Sequence, residues 1–98
     1  MINDQSLIFA LGLAQKAGKA ASGDYAVRSA LEDGKGKLLV IAADEAENTK
    51  KDLVYLAKEF NVPMIEVLDR QRLGLALGKA QSSAVVIIDN NFVKMICK

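Results

Sequence analysis

The stretch Lys37-Leu38-Leu39-Val40-Ile41-Ala42-Ala43-Asp44 decides the fold. Six consecutive apolar residues stand between a lysine and an aspartate. A strand with one wet face alternates apolar and polar residues; this run does not, so it is expected to be covered on both faces. Gly34-Lys35-Gly36 turns the chain into it, and Asp44-Glu45 leads out toward a helix. Those features describe a central strand in a helix–sheet–helix layering. A second apolar run, Ala84-Val85-Val86-Ile87-Ile88, also ends in an aspartate, Asp89. The two runs are expected to be partners in the middle of one sheet.

Around this pair the composition supports a single domain over residues 1–98, 51% of them apolar. A chain of this size buries roughly 60–65% of its unfolded surface without covalent staples. With only two tyrosines, three phenylalanines and no tryptophan, the core must be filled by Leu, Val, Ile and Ala. The single cysteine, Cys97, excludes an internal disulfide and points to a reducing compartment. Without histidine, and with one cysteine, neither a zinc site nor a Cys–His nucleophile is expected. No apolar stretch reaches the roughly 20 residues of a membrane span. The apolar start Leu7–Leu13 follows Asp4 where a signal peptide would carry basic residues. The expectation is a cytoplasmic protein with no membrane partner, a monomer being favoured. Net charge is only +1, but residues 1–49 hold five basic and seven acidic side chains, residues 50–98 eight and five. A nucleic-acid footprint must then come from local clustering.

In chain order, Asn3 or Asp4 caps a first helix with Leu7, Ala10, Leu11, Ala14 and Ala17 on one face, and Gly18 ends it. Lys19–Ser22 reads as a short edge strand. Ser22 or Gly23 opens a second helix with Ala26, Val27, Ala30 and Leu31 inward, closed by Gly34. After the central strand, Asn48 or Thr49 starts a third helix with Leu53, Leu56, Ala57 and Phe60 inward, broken by Asn61-Val62-Pro63. Met64–Val67 is a third strand, and Asp69 caps a fourth helix through Leu73, Ala76 and Leu77 to Gly78. The loop Lys79–Ser83 leads to the Ala84–Ile88 strand. Asn90 or Asn91 caps a last helix carrying Phe92, Val93 and Ile96. This alternation predicts an α/β fold, a three-layer α-β-α sandwich around a mostly parallel or mixed sheet.

Two glycine–lysine patterns look like phosphate loops and fail. Gly12 and Gly18 enclose five residues where the loop needs four, and Gly74 and Gly78 enclose three. Asp44 and Asp89, each at a strand end, offer either a carboxylate pair for acid–base or magnesium chemistry, or two turn and cap residues. The absence of companion histidines, cysteines or further acids favours the second. No catalytic residue, metal or cofactor is expected.

A basic, glycine-flanked constellation is left. Lys16 and Lys19 bracket the end of the first helix, and Gly23-Asp24-Tyr25 opens the second, with Arg28 one turn in. Lys35 and Lys37 flank the turn before the central strand, and Lys79, Ser82 and Ser83 lie in the last loop. Free amides at a helix N-terminus suit phosphate oxygens, cations and hydroxyls position a nucleic-acid backbone, and Tyr25 can stack on an unpaired base. Singly, each of these is also an ordinary surface residue, and Tyr25 a packing residue.

The same residues carry a resemblance. Leu11–Lys19, Ser22-Gly23, Lys37–Ala46, Glu47–Lys51, Asn61-Val62-Pro63, Leu73-Gly74 with Gly78-Lys79, and Ser82–Ile87, in this order and spacing, resemble the L-seven-Ae/L-thirty-e ribosomal protein family, its small bacterial YlxQ-type members above all. The resemblance covers nearly the whole chain. It implies a four-stranded mixed sheet and binding of structured RNA, ribosomal or kink-turn-like, through the second-helix N-terminus and the loop before the last strand. The family's RNA readers carry Gly-x-Asn-Glu-x-x-Lys at that helix start. Here the Asn-Glu positions hold Tyr25 and Ala26 and the lysine position holds Ser29, with Arg28 one residue earlier. The fold and RNA binding carry over; kink-turn specificity does not. The rival expectation is a protein-interaction module on the same fold that has lost RNA binding, which the missing Asn-Glu pair favours.

Overall fold

The computed structural model describes residues 3–97. Its elements are α1 (Asp4–Lys16), β1 (Ala20–Ser22), α2 (Asp24–Glu32), β2 (Leu38–Ile41), α3 (Glu47–Glu59), β3 (Met64–Glu66), α4 (Arg70–Ala76), β4 (Ala84–Ile87) and α5 (Asn90–Ile96). The four strands form one mixed sheet in the order β1-β4-β2-β3. β4 runs antiparallel to both β1 and β2, while β2 and β3 are parallel. The two apolar runs are therefore neighbours at the centre, and all four residues of each are buried.

Strand alternation divides the core into two layers. Leu38, Val40, Ala42, Val85 and Ile87 face α1, α4 and α5, where Leu7, Leu11, Leu73 and Ile96 meet them. Leu39, Ile41, Ala84 and Val86 face α2 and α3, against Val27, Leu31, Leu53 and Ala57. Burying one such side chain is worth about 1.5–3 kcal/mol, so the central strands anchor both helical layers. Among the described residues, no helix is long and apolar enough to cross a membrane.

Helix ends follow capping chemistry with two departures. Asn3 Oδ1 accepts from the Ser6 amide at 2.9 Å and Asp69 Oδ1 from the Arg72 amide at 2.7 Å. The cap of α5 is Asp89, whose Oδ1 accepts from the Asn91 amide at 2.7 Å, and not Asn90 or Asn91. α3 begins at Glu47 behind Ala46, ahead of Asn48 and Thr49, with no side-chain cap. An acidic first-turn residue, Glu47, suits the positive helix end, and the Lys50 amide closes the turn on the Ala46 carbonyl at 3.0 Å.

Phe60, expected inward, is exposed. The helix has already ended at Glu59, and the backbone turns through Asn61 at φ 56°. The helical pitch therefore never carries the ring round to the core.

Gly74 is where the last helix before β4 meets the following loop. A Cβ there would lie 2.7–2.8 Å from the backbone of Gln81. Contact this close with backbone cannot be relieved by a rotamer change. Gly74→Ala is expected to cost about 1–3 kcal/mol and to displace the Lys79–Ser83 loop, read as a lowered urea midpoint.

Candidate functional site

The antiparallel pairing gathers three strand ends at one edge of the sheet. Ser22 stands opposite Val85 and Ile41 opposite Ala84, and the Ala42 amide donates to the Ser83 carbonyl at 2.9 Å. The ends of β1 and β2 thus adjoin the start of β4. Gly23 follows β1 at φ 97°, ψ 150°, a conformation that favours glycine. It turns the chain into α2 with no side-chain cap, so the first-turn amides of α2 face outward without a local acceptor from Gly23.

Between these elements lies a groove of about 360 Å³. Gly23, Asp24 and Val27 of α2 line one wall, Glu45, Thr49 and Leu53 a second, and Lys79 with Gln81–Ala84 a third. Val27, Leu53 and Ala84 are buried and give an apolar floor. Ser82, also buried, donates its hydroxyl to the Ala84 carbonyl at 3.2 Å, which fixes the loop conformation. The Ser82 amide donates to the Arg70 carbonyl at 3.0 Å, and the Lys79 amide to the Gly74 carbonyl at 2.8 Å. The loop is held at both ends.

Of the residues singled out in the sequence, Gly23, Asp24, Lys79, Ser82 and Ser83 line the groove. Tyr25 sits beside them on the first turn of α2, 86% exposed, so it is not a packing residue. Arg28 does not line the groove but pairs with its wall: its Nε lies 3.1 Å from Asp24 Oδ1, and its Nη2 3.9 Å from Asp52 Oδ2. Lys16, Lys19, Lys35 and Lys37 are not at the groove. The Lys37 amide donates to Ile87 and the Ile88 amide to the Lys19 carbonyl, which places both at the far end of the sheet. Lys16 ends α1 on the approach to Lys19, and Lys35 lies two residues before Lys37.

The same geometry separates Asp44 from Asp89. Because β2 and β4 are antiparallel, the residues that follow them lie at opposite ends of the sheet and cannot form a pair. Asp89 caps α5, and Asp44 Oδ1 accepts from the Arg70 amide at 2.8 Å. Asp44 thereby serves the start of α4 across the sheet end, not the helix that follows it in sequence. Among the described residues, no group of three or more acidic, histidine or cysteine side chains is placed to hold a metal ion.

Glu45, Thr49 and Gln81 line the groove and were not singled out in the sequence. Their signal was position alone: Glu45 leaves the central strand, and Gln81 lies inside the last loop. Glu45 Oε1 accepts from the Ala46 amide at 2.7 Å. The neighbouring Ser83 hydroxyl, and then that amide, hold the Glu45 carboxyl below its ordinary 4.5. Oε2 is covered and has no hydrogen-bond partner among the described residues. A lowered folded-state pKa favours the fold above the ordinary value, and that contribution disappears as pH falls through the folded pKa. Glu45→Gln is expected to flatten the acid limb of the stability curve below about pH 4.5, measured by thermal unfolding against pH.

The groove accordingly combines an apolar floor, hydroxyl, amide and ammonium donors, and the acceptor carboxylates of Asp24 and Glu45. That set can hydrogen-bond a planar polar group while covering its face. A four-stranded mixed sheet of this order, packed by helices on both faces, is the fold class. The chain belongs to the ribosomal protein L7Ae/L30e/S12e/Gadd45 family, whose model matches residues 5–97.

Among individual relatives, it is 30% identical over 92 residues to RNA-binding protein YlxQ of Enterococcus faecium, covering 94% of this chain and 88% of that one. It is 36% identical over 78 residues to large ribosomal subunit protein eL8 of Picrophilus torridus, covering 76% and 59%. A solved structure described as a protein with unknown function from Bacillus halodurans C superposes with a TM-score of 0.84 at 27% identity, covering 94% of this chain and 97% of that chain.

Proposed function

We propose that this protein is a non-catalytic, ribosome-associated RNA-binding protein that takes an internal loop or bulge of structured RNA, ribosomal or kink-turn-like, into the groove. The observation that carries this reading is the meeting of the uncapped α2 start with the anchored Lys79–Ser83 loop over an apolar floor. The names of the relatives, an RNA-binding protein and a ribosomal protein, support it. An unstacked base would lie on Val27, Leu53 and Ala84, with Tyr25 free to stack on a neighbour. Asp24 and Glu45 would accept from exocyclic amino groups, as carboxylates do from cytosine. Lys79 and the α2 amides would meet phosphate oxygens. The cytoplasm is the compartment that suits this work.

Among the described residues, Lys79 is the one basic residue lining the groove, against two carboxylates. Lys79→Glu makes all three charges negative and is expected to weaken binding of a stem–internal-loop RNA at least about tenfold in fluorescence anisotropy, and to reduce the salt slope by about one. Unchanged affinity would contradict the groove as the binding site. A protein-interaction module is the second reading. What favours it is a separate hollow of about 550 Å³ beside the edge strand β3, lined by Val54, Tyr55 and Met64, with Tyr55 68% exposed.

A further inference from the structure

The groove is poor in positive charge; among the described residues, Lys51 and Lys58 on α3, Lys79 in the last loop and Lys94 on α5 form no ion pair, and four further unpaired lysines lie together elsewhere. Arg28, Lys50, Arg70 and Arg72 all form ion pairs. Lys16, Lys19, Lys35 and Lys37 are exposed, and among the described residues none of them is ion-paired. They collect at the end of the sheet opposite the groove. The Ile88 amide donates to the Lys19 carbonyl at 3.0 Å, and the Lys37 amide to the Ile87 carbonyl at 2.8 Å. Lys19 and Lys37 therefore continue the rows of β1 and β2 on either side of Ile88. With strands spaced 4.7–4.9 Å, their backbones lie roughly 10 Å apart.

Three acids share this end. Asp33 Oδ2 accepts from the Ser29 hydroxyl and Asp89 Oδ1 from the Asn91 amide, while Glu32 is exposed on the last turn of α2. None of the three neutralises a lysine in the structure. The five residue steps from Ser83 to Ile88 put this end roughly 17 Å from the groove at about 3.4 Å per residue. An RNA element seated in the groove therefore leaves the lysines facing away from it.

We infer that Lys16, Lys19, Lys35 and Lys37 form a second contact, for the phosphate backbone of a separate RNA duplex segment, so that one protein molecule bridges two RNA segments. The occupant is a duplex backbone because the charges this end presents are exposed lysine point charges, which suit phosphate oxygens. This inference rests on the groove reading for its first RNA contact, while the lysine surface is tested independently.

The test uses the full chain, a stem–internal-loop RNA carrying a fluorescent donor and a plain RNA duplex carrying an acceptor. The wild-type protein is expected to bring the two together, and its duplex affinity to fall with log salt at a slope of about −3.6, as for roughly four neutralised phosphates. The variant with all four lysines changed to glutamine should bind the stem–internal-loop RNA within about threefold of wild type. It should lose the duplex and the energy transfer. The variant with four arginines should retain both, showing that charge is what matters.

Bridging that survives the glutamine variant would overturn the inference, as would a wild-type protein that holds only one RNA at a time. Capture by anionic phospholipid vesicles without duplex capture would overturn it as well. If the wild type captures the duplex through these lysines but Lys79→Glu leaves the stem–internal-loop affinity unchanged, the groove reading fails and the lysine surface stands.

Discussion

Leu39→Ala is expected to be the most destabilising single truncation in the central strand, at about 2–5 kcal/mol. Leu39 is completely buried, pairs with Val86 on one side and Met64 on the other, and packs under α2 and α3. It touches elements from both halves of the chain, so the cavity cannot be closed by moving one helix. Domains of this size have total stabilities near 5–15 kcal/mol, and 1 kcal/mol shifts Tm by about 4–8 °C. The variant should therefore melt at least about 8 °C lower by calorimetry. Leu75→Ala is the control: Leu75 is 70% exposed on α4, and its truncation should stay within about 0.5 kcal/mol. Equal effects at the two positions would mean that the apolar run is not the centre of the fold.

The second large effect concerns specificity. Tyr25 and Ala26 occupy the first turn of α2 beside the groove, where they present a phenol and a methyl group. Base-edge hydrogen bonds discriminate between nucleic-acid sequences; phosphate contacts position them. Each good base reader is worth about 1–3 kcal/mol of discrimination. The wild type is expected to bind a kink-turn and a scrambled stem–internal-loop RNA of equal length within about tenfold of each other. Tyr25→Asn with Ala26→Glu should widen that gap by tenfold or more in a competition titration at fixed salt. A wild-type preference of a hundredfold would show that Asp24, Glu45 or the last loop already does the reading. Arg28, one residue before Ser29, is paired with Asp24 and Asp52 across exposed contacts.

Much of this architecture was legible in the sequence. The unbroken apolar runs predicted two central strands, and Asn3 and Asp69 predicted their helix starts. Gly18, Gly34 and Gly78 predicted helix ends that all adopt positive φ. Those features are local, and local chemistry decides them.

What was not legible is the direction in which β2 and β4 pair. Read without it, Lys37 and Lys79 both simply precede central strands and invite placement on one surface. Antiparallel pairing sends them to opposite ends, which divides the basic constellation and separates Asp44 from Asp89. The ion pairs of Arg28 depend on α2 and α3 lying side by side, and the groove role of Glu45 on Ser83 arriving from nearly forty residues away. These are long-range facts that no local pattern encodes.

The central claim is that structured RNA enters the groove between the α2 start and the Lys79–Ser83 loop. Amide NMR shifts during titration of the isotopically labelled protein with a stem–internal-loop RNA test it most directly. The largest shifts are predicted at Gly23–Val27, Glu45–Thr49 and Lys79–Ala84, the three walls of the groove. Shifts confined to Val54, Tyr55 and Met64 at the β3 edge, or no shifts at saturating RNA, would contradict it.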